Sequence, residues 1–164
     1  MWSLTPLENE AVILSLRVAF WAVLWSLPLG VLTAWVLARR EFFGKTLVNG
    51  LVHLPLIVPP VVVGYVLLIV LGRKGVVGGW LHDWFGITVA FTWKGAAVAA
   101  AVMAFPLMVR AIRLSLDEVD RRLEQAARTL GAGPFRVFFT ITLPLTLPGI
   151  LTGTILAFAR SLGE

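Results

Sequence analysis

The feature that most constrains this chain is a set of long stretches that carry no charge. Residues 18–38 are 21 consecutive uncharged positions, and Arg39 and Arg40 follow them directly. A helix needs roughly 20 apolar residues to cross the ~30 Å hydrocarbon core of a bilayer. Three further apolar runs follow, at 46–72, 95–109 and 137–159. A chain of 164 residues cannot bury so much apolar surface in a core of its own, so we expect lipid to surround much of it.

The charged residues are few and lie between the apolar runs. They make up 14% of the chain, against about 25% in ordinary soluble domains, while hydrophobic residues reach 59%. In a soluble protein the net charge of +5 would suggest binding to nucleic acid. Basic residues that separate apolar runs indicate a membrane protein instead, so we expect a lipid bilayer and no nucleic acid as partner. Cysteine is absent, which excludes disulfides and thiolate sites.

The apolar runs predict helices, because they lack the alternation of polar and apolar residues that is typical of membrane barrel strands. We therefore predict an all-α, polytopic membrane helix bundle. It forms a single transmembrane domain over residues 1–164, with spans at about 11–38, 50–72, 93–112 and 144–163.

Prolines interrupt two of these predicted spans. The second run contains Pro55, Pro59 and Pro60, which either kink one helix or mark where a helix begins after a short turn. In the last run, Pro144 and Pro148 predict that the continuous helix begins near Pro144.

The distribution of positive charge predicts the orientation in the membrane. Nine Lys and Arg residues flank the spans on one side and four on the other, and segments rich in Lys and Arg face the cytoplasm. We therefore expect segments 39–46 and 110–143 to be cytoplasmic and the N-terminus to lie outside. The last predicted span ends with the sequence, so we also expect that the chain is truncated at its C-terminus.

The longest polar segment, 110–136, contains an amphipathic pattern. Its apolar residues recur at helical spacing and fall on one face, at Val119, Leu123, Ala126, Ala127 and Leu130. Either a capping box of Ser115 with Glu118 or Asp120 alone would start this helix, and Gly131 would end it. Glu124 stands four residues before Arg128, which favours an ion pair on the helix surface.

The apolar face of this predicted helix needs a surface to cover it. The face would rest on the membrane or on the chain's own bundle, or it would fit a groove on another protein. The periodic pattern alone is compatible with all three interpretations.

One spacing pattern in this segment resembles the EAA loop of the permease subunits of binding-protein-dependent ABC importers. Gln125-Ala126-Ala127 is followed after three residues by Gly131, after nine more by Ile141, and after one more by Leu143-Pro144. The family pattern has Glu at the first position, so Gln125 departs from it by lacking the charge. The resemblance implies that an ATPase docks on the loop at about 113–143, through Leu123, Glu124, Gln125, Ala126, Ala127, Arg128, Leu130, Gly131, Ile141, Leu143 and Pro144.

Over essentially its whole length, the chain is similar to the permease subunits of molybdate ABC transporters, most clearly at 53–64, 105–113, 123–131 and 158–164. The resemblance implies a type I ABC importer permease with a cytoplasmic coupling helix, in the bacterial cytoplasmic (inner) membrane. It also implies a homodimer of permeases, an ABC ATPase subunit dimer on the cytoplasmic side and a periplasmic molybdate-binding protein. The chain itself would not be an enzyme, because the partner subunits hydrolyse ATP.

Molybdate is the substrate that this resemblance implies, with tungstate and sulfate as the alternatives. A membrane scaffold or sensor without transport activity would also explain the spans and the amphipathic helix. It would not explain the spacing of Gly131, Ile141 and Leu143-Pro144, which is why we prefer a permease.

Other candidate sites are weaker. Gly44-Lys45-Thr46 is similar to the end of a phosphate-binding loop, but Arg39 stands where that loop needs its first Gly. His53 and His82 lack companion ligands at metal spacing, so we expect neither a metal nor a cofactor.

Two ionisable residues lie at the end of the last predicted span. Arg160 and Glu164 are either solvated or paired with each other, or they line the outer mouth of a transport pathway. The sequence offers no observation that separates these alternatives.

Overall fold

A computed structural model describes residues 5–163, which form α-helices and one π-helical turn without any strand in that range. This confirms the all-α prediction. In chain order the elements are α1 (Pro6–Arg39), α2 (Lys45–Ile57), α3 (Pro60–Leu71), α4 (Val76–Phe85), α5 (Trp93–Glu118), α6 (Arg121–Thr129), α7 (Pro134–Val137), the π-helical turn (Phe138–Thr142) and α8 (Leu143–Leu162).

Three long helices, α1, α5 and α8, form the core of the bundle. Each belongs to a helical stretch that is long and apolar enough to cross a membrane, namely Pro6–Arg39, Trp93–Glu118 and Pro134–Leu162. They overlap three of the four predicted spans. The buried residues that they share are Val23, Ala34, Leu37, Ala38, Ala104, Met108, Val109, Ile112, Leu116, Ile150 and Ala157.

Glycines set the close packing of these three helices. A Cβ at Gly30 of α1 would lie 2.8 Å from the sulfur of Met108 in α5. A Cβ at Gly153 of α8 would lie 3.0 Å from the carbonyl oxygen of the same Met108, and one at Gly149 would overlap the Cβ of Ser115. Small residues let membrane helices approach closely, and here they do so along both faces of α5. The order of these contacts makes α8 antiparallel to α5.

By contrast, α1 and α5 run parallel. The guanidinium of Arg17 lies 4.2 Å from the ring centroid of Trp93 at the start of α5. At the other end of the two helices, Arg39 Nη2 lies 3.4 Å from the carbonyl oxygen of Val119. The chain therefore leaves α1 at one end of the bundle and enters α5 at the other. At 1.5 Å per residue, Arg17 and Arg39 are roughly 33 Å apart, so residues 40–92 must travel about that distance.

The second apolar run is not one helix, in contrast to the predicted span at 50–72. It consists of α2 and α3, which meet at an angle of 113°. Pro60 is the first residue of α3 and Pro59 its N-cap, while Pro55 lies inside α2. Pro60 has no N–H to donate to the preceding turn, which suits a helix start and not a helix interior. The prolines at 59 and 60 therefore mark the beginning of a helix, which was one of the two readings of this run.

The last helical stretch extends beyond the predicted helix. The α-helix α8 begins at Leu143, next to the predicted start near Pro144. The short helix α7 and the π-helical turn extend the helical stretch back to Pro134. A π-helical turn precedes Pro144, and it ends with a hydrogen bond from the backbone N–H of Leu143 to the carbonyl oxygen of Phe138. Pro144, which has no N–H to donate, lies in the first turn of α8. The cytoplasmic segment expected at 113–143 is consequently almost entirely helical, because α5 continues to Glu118 and α6 and α7 follow.

Candidate coupling site

The amphipathic helix of the polar segment is α6, and its two ends are built from local sequence. Asp120 is the N-cap, and its carboxylate accepts a hydrogen bond of 2.9 Å from the backbone N–H of Arg122. The alternative capping box is wrong, because Ser115 and Glu118 lie inside α5. After α6, Gly131 has a φ of +86°, a left-handed conformation that only glycine adopts without steric cost. Gly131 thus ends the helix as predicted.

The apolar residues of α6 are not covered by the chain's own bundle. Leu123 is 49% exposed and Leu130 88% exposed, and Ala126 is exposed between them. Ala127 is half-buried at the edge of this face. We call the exposed set Leu123, Ala126 and Leu130 the docking face. Packing against the chain's own bundle is therefore excluded for these residues, which leaves the membrane surface or another protein.

The opposite side of α6 carries a buried carboxylate. Glu124 Oε1 lies 3.0 Å from Arg39 Nη2, and the two side chains are only 10% and 7% exposed. The hydroxyl of Thr142 donates a hydrogen bond of 2.8 Å to the same carboxylate oxygen. The predicted surface ion pair of Glu124 with Arg128 is therefore wrong. Tertiary packing turns Glu124 toward the end of α1, and this buried pair links α6 to α1 and to the π-helical turn.

Two further arginine contacts fasten the same corner. Arg121 Nη2 donates a hydrogen bond of 3.1 Å to the carbonyl oxygen of Ala38 in the last turn of α1. A cation beside the last carbonyls of a helix is favourable, because those groups carry the negative end of the helix dipole. Arg113 Nη1 donates to Asn49 Oδ1 at 2.9 Å, which ties α2 to α5 near this end.

The loop between α1 and α2 carries an exposed ion pair. Lys45 Nζ lies 2.7 Å from Glu41 Oε1. This hydrogen bond from Lys45, together with the lysine's charge and those of Arg121 and Arg113, lowers the pKa of Glu41 below its usual value.

The second half of the spacing motif lies on the π-helical turn and the start of α8. Ile141 and Leu143 are half-buried and Pro144 is exposed, while Thr142 between them is 1% exposed. The motif residues Ile141 and Leu143 thus flank Thr142, whose hydroxyl bonds to Glu124. Sequence reasoning did not single out Arg39 or Thr142 as functional, and neither stands out by spacing.

The other candidates are not brought into this site. Arg160 lies half-buried in the last turn of α8, at the far end of the bundle, and Glu164 lies outside the described residues. Within residues 5–163, no three His, Cys, Asp or Glu side chains come close enough to hold a metal ion.

Comparison with known proteins decides the family. Residues 26–164 match the family described as the binding-protein-dependent transport system inner membrane component. The chain belongs to this family of permeases. Its members are the membrane-spanning subunits of ABC importers and not enzymes themselves, since a separate subunit hydrolyses ATP. The chain is therefore a multi-pass inner-membrane protein whose partners are an ATPase and a periplasmic binding protein.

Individual relatives cover nearly the whole chain. The molybdenum transport system permease protein ModB of Escherichia coli (strain K12) is 67% identical over 98% of this chain and 70% of its own length. ModB of Haemophilus influenzae is 60% identical over 96% of this chain and 69% of its own length. A probable sulfate transport system permease protein, cysT of Nephroselmis olivacea, is 39% identical over 97% of this chain and 56% of its own length.

Proposed function

We propose that the chain is the membrane-spanning subunit of an ATP-driven importer that carries molybdate into the cell. The observation that carries the proposal is the 67% identity to a molybdenum transport permease over 98% of the chain, against 39% to a sulfate transport permease. Sulfate is the second candidate because of that more distant similarity. Tungstate is the nearest chemical rival, since it is a tetrahedral oxyanion with the charge of molybdate.

Uptake of labelled molybdate tests the substrate. The permease would be expressed with its ATPase and binding protein in cells that lack their own molybdate importer. We expect ATP-dependent uptake that excess tungstate reduces and excess sulfate does not. Equal displacement by sulfate would point to the second candidate. A permease that inserts and binds its ATPase but moves no oxyanion would favour a scaffold or sensor.

In the proposed mechanism, α6 is the coupling helix and its docking face fits a groove on the ATPase. Leu123, Ala126 and Leu130 offer an apolar stripe with a small residue in the middle, which lets a second surface approach closely. When ATP closes the two ATPase subunits, α6 moves with them as a rigid body. The membrane-spanning helices then change the side to which the pathway opens.

The buried pair supplies a physical connection for this movement. Glu124 on α6 is held by Arg39 at the end of α1 and by Thr142 just before α8. A displacement of α6 therefore pulls on two of the three core helices at once. Coupling of this kind needs packed or bonded elements that move together, and these contacts provide them.

We place the N-terminus outside and the α6 end of the bundle in the cytoplasm. The support is the concentration of cations at that end, with Arg39, Arg113 and Arg121 all engaged there. An exposed reporter at Arg122→Cys tests the orientation. An impermeant thiol reagent should label it only after the cells are opened, and labelling in intact cells would reverse the assignment.

We further propose that the permease works as a homodimer. Leu37, Met108, Val109 and Ile112 are completely buried in the three-helix core, so the described part of the chain offers no passage for an oxyanion through its centre. A pathway would then lie at the surface of this bundle, and a second copy that covers this surface is the partner that the family resemblance implies. The subunit ratio in the purified complex tests this, and one permease per two ATPase subunits would contradict it.

Substitutions on and beside α6 test the docking face. Ala126→Leu adds bulk to an exposed position, so it is harmless on a membrane surface but clashes in a protein groove. Overpacking costs about 1–3 kcal/mol, which corresponds to a loss of ATPase affinity on the order of tenfold. Ala127→Leu should act in the same direction, although that position also touches the bundle.

Gly131 provides a matched pair of variants. Gly131→Val forces a β-branched residue into a left-handed conformation and should weaken ATPase binding, whereas Gly131→Asn should be tolerated because Asn adopts that conformation readily. The measurement is the amount of ATPase retained per permease in detergent, with membrane insertion as the control. Wild-type retention by both Ala126→Leu and Gly131→Val would favour a helix that rests on lipid.

A further inference from the structure

A cavity of about 490 Å³ lies between α6, the end of α1 and the turn that leads to α8. Its walls combine cationic and aromatic side chains. The lining residues with charged or amide groups are Arg39, Arg40, Arg121, Arg128, Glu124 and Gln125. Four guanidinium groups thus face one carboxylate, and this carboxylate is already engaged by Arg39 and Thr142.

One of these arginines carries a hydrogen-bond donor that nothing in the described chain satisfies. The side chain of Arg39 is only 7% exposed, and its Nε is buried without a hydrogen-bond partner. Its Nη2 is used by Glu124 and by the carbonyl oxygen of Val119. Arg39 therefore brings a buried guanidinium to the wall of the cavity, and one of its donors has no acceptor within residues 5–163.

We propose that this cavity binds a phosphate-type oxyanion group, supplied either by the headgroup of an anionic phospholipid or by a free oxyanion in the cytoplasm. Guanidinium groups suit such a ligand, because their planar donors match the oxygens of phosphate in pairs. Arg40 directly follows the last residue of α1, and Arg128 lies in α6, so an anion bound by both arginines bridges the two helices.

Aromatic side chains form part of the cavity wall, and the cavity is larger than a single inorganic anion requires. The rings of Trp35 and Phe138 meet edge to face with centroids 5.9 Å apart, and both residues line the cavity. The volume lies in the range of sites for organic ligands and exceeds what one inorganic anion fills. A bound phospholipid would place its phosphate among the arginines and its apolar part along these rings. Basic pockets on the cytoplasmic side of membrane proteins bind lipid headgroups in this way.

The site does not depend on which substrate the permease carries, so failure of the molybdate proposal would leave it standing. Two measurements on the purified permease–ATPase complex distinguish the sources of the anion. Equilibrium dialysis against radiolabelled inorganic phosphate, at constant ionic strength, measures a free oxyanion. Native mass spectrometry after exchange into mixed phosphatidylglycerol and phosphatidylcholine measures retained lipid.

The decisive comparison uses two charge-matched double variants. The double variant R40Q with R128Q removes two positive charges from the cavity wall and leaves the buried Arg39–Glu124 pair intact. R122Q with R136Q removes the same charge from exposed positions that do not line the cavity. We expect the first variant to lose binding of phosphate or of phosphatidylglycerol by about tenfold or more, and the second to bind like the wild type.

Both outcomes for the source of the anion support the proposal. Saturable binding of inorganic phosphate identifies a free oxyanion, and retention of phosphatidylglycerol without phosphate binding identifies a lipid. If the wild type binds neither probe, or if the two double variants lose equal amounts of binding, the cavity is not an anion site. Because all four substituted arginines are exposed, these variants should fold, and a wild-type thermal unfolding midpoint of the permease in detergent confirms that they do.

Discussion

The two ends of the α1–α5–α8 bundle are held by different kinds of contact. At the end near α6, a buried ion pair joins Arg39 to Glu124 at 3.0 Å, and Arg121 bonds the last turn of α1. At the opposite end, Arg17 lies over the ring of Trp93, beside a mostly apolar cavity of about 310 Å³. The cavity lining there is dominated by Trp21, Trp25, Trp93, Lys94, Ala97 and Val98.

The difference indicates that one end of the bundle transmits movement, while the helices at the other end can shift against one another. Hydrogen bonds between charged groups are directional, so they fix the angle between the elements that they join. Contacts between apolar surfaces depend mainly on area, and they tolerate sliding. A permease that is driven from one side needs both properties, with a stiff connection at the driven end and a packing at the far end that can reorganise.

Breaking the buried pair should have the largest effect. Arg39→Met replaces the arginine with an unbranched apolar side chain, so Glu124 stays buried without its cation. Removing one partner of a buried pair typically costs about 3–5 kcal/mol. We expect a clear fall in the thermal unfolding midpoint of the complex in detergent, together with loss of ATPase retention.

A second substitution separates stability from coupling. Replacing both partners, as Arg39→Met with Glu124→Leu, should recover much of the stability, because no unpaired charge remains. Recovery is partial, since the Thr142 hydroxyl loses its acceptor. Uptake should stay low. Glu41→Gln is the exposed control, and little change is expected from removing a solvated pair. An Arg39→Met protein as stable as this control would mean that the buried pair holds nothing together.

The next largest effect concerns the closest helix approach at the same end. Gly149→Ala places a Cβ against Ser115, so α5 and α8 must separate, and overpacking of this kind costs about 1–3 kcal/mol. Gly50→Ala is the matched control, because an added Cβ there meets nothing within 4 Å. The unfolding midpoint should fall for the first variant only. Adding Ser115→Gly should restore part of the midpoint, because the carbonyl oxygen of Ala111 still lies 3.1 Å from the added Cβ. No recovery at all would show that Ser115 does not limit the approach.

The smallest effect is expected at the opposite end. Arg17→Gln removes a cation–π contact at an exposed arginine, which is worth about 0.5–1 kcal/mol. The unfolding midpoint should shift slightly, and ATPase retention should not change. A loss of ATPase retention as large as that of Arg39→Met would remove the contrast between the two ends.

The sequence predicted those parts of the site that local physics determines. The left-handed conformation of Gly131 follows from glycine's conformational freedom at a helix end, and Asp120 was one of two caps that the sequence offered. Of the five residues in the predicted apolar stripe, Leu123, Ala126 and Leu130 share one exposed face, and Ala127 lies at its edge. Val119 was wrong, because it lies before α6 and is buried. Each of these features depends on residues within a few positions of one another.

The errors lie where distant segments meet. Pairing Glu124 with Arg128 treats α6 as an isolated helix, but the partner of Glu124 is Arg39, 85 positions earlier in the chain. Spacing within one helix carries no information about such a contact. The break at Pro59 and Pro60 was predicted only in part. The prolines indicated an interruption of the helix, but local sequence does not distinguish a kink from the start of a new helix.

In the helical segment from Pro134 to Thr142, the number of residues is more critical than most of the side chains. Every residue added to or removed from a helix rotates all that follows by about 100° around the axis. A single deletion within the α-helical residues Pro134–Val137 would therefore turn Thr142 away from Glu124 by more than a quarter of a turn, without altering any other side chain. Exposed positions such as Phe139 and Thr140 should therefore tolerate substitution, whereas insertions and deletions in this segment should not be tolerated.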